Sequence, residues 1–182
     1  MEPFAITLTK NSVICLAPNA ILNWNFNLNS EGKSNKLSST LKPTRQVHVD
    51  DFPGIIPKPG ERNSHLLRPA MDCARCMHAL GDRLCVVRES GKLQFYALPT
   101  LGYLQTYRID FDGDIFQKVL FNCDGTQLAV LSMNGNLILC VFPEVSGQQL
   151  EVIVCENVCN ISGMLWATDI PRQICVIEGH SM

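Results

Sequence analysis

An all-β fold of repeated four-stranded antiparallel units is what this sequence predicts, and three observations carry the prediction. Arg83 to Leu98 (RLCVVRESGKLQFYAL) superimposes without a gap on Gln127 to Phe142 (QLAVLSMNGNLILCVF) at a spacing of 44 residues, which puts Gly91 on Gly135. The apolar pattern repeats at the same offset, with Leu84 on Leu128, Val86 on Val130, Val87 on Leu131 and Leu93 on Leu137. Asp124-Gly125 and Asn134-Gly135 are hairpin signals, because these pairs tolerate positive φ. A period of about 40–45 residues is that of one propeller blade, and a single blade cannot bury both of its faces. The expected fold class is therefore all-β, an incomplete β-propeller of WD40-like blades with a long irregular insertion. The 182 residues hold about four periods at most, against the about four to eight blades of a closed ring.

Residues 1–26 read as the end of an earlier blade: FAITLT, SVICLA and AILNWNF are short strands, with Lys10-Asn11 and Pro18-Asn19 as turns. Trp24 ends this unit where Tyr96 ends the later strand. Residues 27–70 change to Ser, Asn, Lys, Thr and Pro, and Pro43, Pro53, Pro57, Pro59 and Pro69 break regular structure. This segment is expected to be an irregular linker or a partner-binding strap, within which Val47 to Asp51 forms an isolated strand.

Residues 71–110 form a blade, with strands over Arg75–Leu80, Arg83–Arg88, Lys92–Leu98 and Gly102–Ile109. The last is polar on alternate positions, as an edge near solvent should be. Residues 111–155 repeat the plan with Phe116–Asn122, Gln127–Leu131, Leu137–Phe142 and Leu150–Val154. Residues 156–182 begin a further copy, Ile161–Ala167 and Gln173–Ile177, expected as a truncated blade with an unpaired sheet edge that a partner or further sequence would cover.

With 46% hydrophobic and 18% charged residues the chain has the apolar content of a globular protein. A net charge of −2 and a pI near 6.1 provide no field that would gather nucleic acid or an anionic membrane. The N-terminus lacks the basic start and apolar run of a secretory signal, and no stretch reaches the ~20 apolar residues of a membrane span. A soluble cytoplasmic protein is expected, without direct membrane insertion. The nine cysteines lie mostly in apolar strands, such as Cys15, Cys85, Cys140 and Cys175, where a thiol packs as a small hydrophobe. Their odd number argues against a disulfide framework.

Candidate chemistry is sparse. Cys73-x2-Cys76 has a zinc-ligand spacing, but Cys155-x3-Cys159 is too distant in sequence for a compact module, so packed thiols are expected. The histidines His48, His65, His78 and His180 are scattered, and no Ser or Cys stands in a nucleophile elbow. Proton transfer needs a partner within hydrogen-bond reach, so catalysis is not expected, and His78 is read as a packing residue between strands. Asp110, Asp112 and Asp114 alternate as in a calcium loop, but a strand follows where the EF-hand would continue to its bidentate Glu. A solvated turn is the expectation. No phosphate loop is present, and neither cofactor nor small-molecule substrate is implied. The remaining candidate contact positions are the polar hairpin tip Arg88, Glu89 and Ser90, with His48, Asp50 and Asp51 at the short alternating stretch within the 27–70 segment.

The run VRESGKLQFYALPTLGYLQTYRI, followed by NCDGTQLAVLSMNGNL, resembles the second propeller of the WD repeat-containing protein 35 family. Val13 to Leu16 with Asn23-Trp24, His48-Val49-Asp50-Asp51, and Glu156 to Ala167 with its tryptophan fit in the same order. The resemblance implies a scaffold in intraflagellar transport complex A, with other subunits of that complex as partners, at the cilium, its basal body and axoneme. Its implied work is retrograde ciliary transport and ciliary entry of membrane proteins, without catalysis. The family's earlier propeller and helical-repeat array have no counterpart here, so the chain is read as a fragment, isoform or truncated product. Two alternatives stay open, a propeller scaffold of a non-ciliary vesicle or transport complex, and a cysteine-based metal-binding module.

Overall fold

The computed structural model describes residues 5–17, 20–25, 43, 45–48, 72–109, 114–143, 149–155, 158 and 160–179, and every regular element among them is a β-strand. The first sheet holds β1 (Ala5–Leu8), β2 (Ser12–Ala17), β3 (Ala20–Asn25) and β4 (Arg45–His48). The second holds β5 (Ala74–Leu80), β6 (Arg83–Arg88), β7 (Lys92–Ala97) and β8 (Gly102–Arg108). The third holds β9 (Phe116–Phe121), β10 (Gln127–Ser132), β11 (Leu137–Val141) and β12 (Glu151–Val154). The fourth pairs β13 (Ile161–Trp166) with β14 (Ile174–Glu178). All pairings are antiparallel between consecutive strands.

The sheets stand side by side with their first strands inward: β1 meets β5, β5 meets β9, and β9 meets β13. This is the blade arrangement of an incomplete propeller. One expectation is corrected. Residues 45–48 are not an isolated strand within the linker; β4 pairs with β3 from Ala20↔His48 to Asn23↔Arg45, so the first blade extends past residue 26 to a fourth strand. A strand edge left bare by β3 satisfies the main-chain groups of this short segment.

The cores lie between blades, and the second strands explain them. In β6, Leu84, Cys85, Val86 and Val87 are all fully buried, because both faces of a middle strand meet a neighbouring sheet and its sequence must be apolar throughout. Alternation divides the work. Leu84 and Val86 pack with Ile14, Leu16 and Ile21 of the first blade, whereas Cys85 and Val87 pack with Phe121, Leu128 and Val130 of the third. In β10, Ala129 and Leu131 face Ile161 and Met164. Exposure rises outward: β12 is exposed at all four positions. Ile6 and Leu8 on the first sheet, and Leu165 and Ile177 on the fourth, are also exposed.

The repeated glycine has a structural cause. Gly91 and Gly135 sit in the turns between second and third strands with φ of 80° and 79°. Each offers its carbonyl to chain running on toward the next blade: Ile109 N, one residue past β8, donates to Gly91 O at 2.9 Å, and Ile161 N, at the start of β13, to Gly135 O at 3.2 Å. A Cβ would stand 2.2 Å from Ile109 O at the first site and 2.7 Å from Ile161 N at the second. Gly81, also at positive φ, faces open space. Gly81→Ala is therefore expected to cost only the left-handed strain of about 1–2 kcal/mol, and Gly91→Ala and Gly135→Ala distinctly more, as read by urea denaturation.

Candidate protein-interaction surface

In an antiparallel blade the turn between second and third strands lies at the same end as the connector into the first strand. The tip Glu89-Ser90-Gly91 therefore meets Asp72 and Cys73, just ahead of β5. Glu89 N donates to Cys73 O at 2.9 Å, as Met133 N donates to Ile115 O at 2.7 Å one blade later. Asp72 closes the tip: its carboxylate accepts the Ser90 amide at 2.8 Å, the Ser90 hydroxyl at 2.7 Å and Lys92 Nζ at 3.3 Å. Partial burial pushes its pKa up, but these donors outweigh that and hold it below the ordinary carboxylate value.

Asp114 does the same work in the third blade. It accepts the Ile115 amide at 2.8 Å and Asn136 Nδ2 at 3.2 Å, and bonds from Ser132, Ile115 and Asn136 and from the Asn134 amide lower its pKa against the opposing effect of burial. Asp114 is thus a clamp on a hairpin, whereas the alternation with Asp110 and Asp112 suggested a solvated turn; those two lie outside the described residues. Asp72 and Asp114 precede their turn glycines by 19 and 21 residues, unequal spacings outside the ungapped repeat that give Asp72 no pattern in the sequence.

Of the predicted contact residues, Glu89 and Ser90 form the tip, with Glu89 half-buried and ion-paired to Arg75, and Ser90 exposed. Arg88 differs. Its side chain turns inward and is 1% exposed, with Nε donating to Gln94 Oε1 at 2.6 Å and Nη1 to the Asp72 carbonyl. A buried guanidinium persists where fixed acceptors meet its fork, so Arg88 supports the tip from beneath. The main chain of His48 pairs with Ala20 at the end of β4. Asp50 and Asp51 lie outside the described residues.

His78 joins blades. Its Nδ1 accepts the Phe121 amide at 3.1 Å, from β5 across to β9, and burial, then the nearby Lys118 charge, lowers its pKa from the ordinary 6.5. The packing expected of it between strands takes the form of a bond between two sheets. Other seams follow suit: Thr7 Oγ1 accepts the Ala79 amide at 3.3 Å, Asn23 Nδ2 reaches Pro99 O at 2.9 Å, and Asn122 Nδ2 reaches Pro171 O at 2.9 Å. Lys118 Nζ bonds Met164 O and Trp166 Nε1 bonds Leu120 O, both at 3.1 Å.

The Cys73-x2-Cys76 pair is divided by environment. Cys76 is buried and its thiol is pushed up to about 12 by loss of solvent, while Cys73 is only half-buried. Cys85 is also raised, chiefly by burial. A metal ligand must be a thiolate, which these surroundings oppose. Among the described residues no three His, Cys, Asp or Glu side chains gather as a metal site; Cys159, His65 and His180 lie outside them. No helix among the described residues is long and apolar enough to cross a membrane.

The whole chain, residues 1–182, matches the family described as the WDR35 second beta-propeller. The chain belongs to that family. Similar proteins include WD repeat-containing protein 35 of Rattus norvegicus and of Mus musculus, each 25% identical over 195 residues, covering 100% of this chain and 16% of the relative. The protein of the same name from Homo sapiens is 24% identical over 203 residues, covering 99% of this chain and 16% of its own length. The chain thus spans about a sixth of these relatives. What the match assigns is a propeller domain of a WD repeat protein, a family generally without catalysis.

Two outcomes follow from the tip and the seam. Arg88→Met is expected to lower stability by about 2–4 kcal/mol in urea denaturation, since it takes the charged donor from Gln94 and from the Asp72 carbonyl beneath the tip, and Arg88→Lys recovers only part of this because one ammonium cannot span both acceptors. For His78, the folded pKa lies below the unfolded one, so the unfolded chain takes up the proton first. Its contribution is complete above pH 6.5 and is lost as pH falls through the folded value. The urea midpoint should fall from pH 7.5 to pH 5, and fall less in His78→Gln.

Proposed function

We propose that this chain is a non-enzymatic protein-interaction scaffold in an intraflagellar transport complex A assembly, serving retrograde ciliary transport and the ciliary entry of membrane proteins. The observation that carries the proposal is the family match across residues 1–182, with relatives that bear the name WD repeat-containing protein 35. The blades supply what a scaffold needs, rigid sheets that present turns at both ends. The partners are other subunits of complex A. Contact runs through the exposed tip at Glu89 and Ser90, which Arg88 holds from below, together with the segment of His48, Asp50 and Asp51. The chain acts in the cytoplasm and at the cilium, its basal body and axoneme.

Tagged full-length chain expressed in ciliated cells is expected to co-purify with complex A subunits and to concentrate at the ciliary base. Ser90→Arg, which removes the hydroxyl bond to Asp72 and puts a long cationic side chain on the tip, is expected to reduce recovery of those subunits by about tenfold. Recovery of a vesicle-coat complex instead, without ciliary enrichment, would assign the scaffold to that other transport class.

A further inference from the structure

The blade seams can be compared position by position through their ladders. Ser12, Arg83 and Gln127 each open the second strand of their sheet, paired with Asn25, Ala97 and Val141, so they hold one position in three blades. Leu8, Ala79 and Phe121 share another, opposite Val13, Leu84 and Leu128. Leu98 and Phe142 share a third, one residue beyond Ala97 and Val141.

At the seam between the second and third blades these positions make a filled junction. Arg83 Nη2 donates to Gly125 O at 3.0 Å, and the guanidinium carbon stands 5.8 Å and 6.0 Å from the ring centroids of Phe121 and Phe142. A Cβ on Gly125 would lie 2.4 Å from the same Nη2. There is no room left.

At the seam between the first and second blades all three partners are smaller: Ser12 in place of arginine, Ala79 and Leu98 in place of the two phenylalanines. Ser12 does not cross the seam; its hydroxyl donates to Asn25 Oδ1 of its own blade at 2.7 Å. A cleft of about 580 Å³ remains, lined by Ser12, Ala79, Gly81 and Leu98 together with Leu8 and Pro99. Gly81 lies in the turn that corresponds to that of Gly125. A Cβ there meets nothing within 4 Å, and its carbonyl accepts no hydrogen bond among the described residues. Asp82, in the turn between β5 and β6, and Lys10, in the turn between β1 and β2, also line the cleft.

We propose that this cleft docks an arginine carried on an extended segment of a partner protein, entering the place that Arg83 fills one blade later. The guanidinium donates to the Gly81 carbonyl and approaches the Asp82 carboxylate, and its methylenes lie along Ala79 and Leu98. Arginine suits the site better than lysine, since its fork can serve a carbonyl and a carboxylate together. Lys10 disfavours a run of basic residues and so selects one arginine among neutral neighbours. The inference rests on the cleft alone and goes beyond membership of any transport assembly. Its failure leaves the co-purification result untouched.

The test titrates the full 182-residue chain with fluorescein-labelled Ala-Leu-Arg-Leu-Ala amide, and with the same peptide carrying glutamate at the centre. Polarisation and the 15N amide shifts of Gly81 and Asp82 are followed. The arginine peptide is expected to bind at least about tenfold more tightly and to move both amides. Ser12→Arg, which lets the chain supply the guanidinium itself, should weaken that peptide by about tenfold or more and raise the Tm. Asp82→Asn, on an exposed turn, should weaken it several-fold and keeps the test decisive if Ser12→Arg fails to fold. Equal binding of the two peptides, or arginine binding unchanged in folded Ser12→Arg and Asp82→Asn, overturns the proposal. Concentration-dependent dimers that Ser12→Arg abolishes would assign the cleft to a second copy and overturn it too.

Discussion

Everything in this arc of blades depends on how one hairpin turn meets the strand connector beside it. The Gly91 carbonyl holds Ile109, one residue past β8, and the Gly135 carbonyl holds Ile161, the first residue of β13, so each tip is tied to chain that runs on toward the next blade. A sheet that twists right-handedly has no intrinsic reason to stop at a blade's width or to place its successor at a fixed angle. The bond from turn to connector supplies that reason. It works only because the turn residue lacks a side chain, which is why glycine recurs at 44 residues.

Around this contact the blade is organised in depth. Asp72 and Asp114 hold the hairpin tips from one side, while Arg88 fills the space beneath one tip. Further out, the second strands are apolar on both faces and form the cores between sheets. The polar groups near a tip are therefore engaged in holding the turn, whether buried like Arg88 or exposed like Ser90, whose hydroxyl and amide both bond Asp72. A functional reading of polar residues near a tip must separate exposed from buried ones, since only the exposed can also meet a partner.

Much of this was legible in the sequence, because the strands obey short-range rules. β6, β7, β10 and β11 fall within a residue of the boundaries that apolar runs and turn glycines predict. β4 was harder: the brief alternation over Val47 to Asp51 suggests only an isolated strand, and the pairing of Arg45–His48 comes from the free edge of β3. Arg88 was misleading for a related reason. Arginine beside Glu89 and Ser90 reads as solvent-facing, and only the fold brings Gln94 and the Asp72 carbonyl within its reach. Asp72 escaped notice because its partners lie 18 and 20 residues ahead, farther than any local pattern extends.

The seam hydrogen bonds share one property. Each has a main-chain group on one side: the Pro99, Gly125, Met164, Pro171 and Leu120 carbonyls accept, and the Ala79 and Phe121 amides donate. A main-chain group survives most substitutions at its own position, so only one residue of each pair is fixed by the contact and the other is free to drift. Each seam bond therefore constrains the identity of one residue rather than two, which leaves room for substitution of the order that separates this chain from relatives 25% identical along its full length.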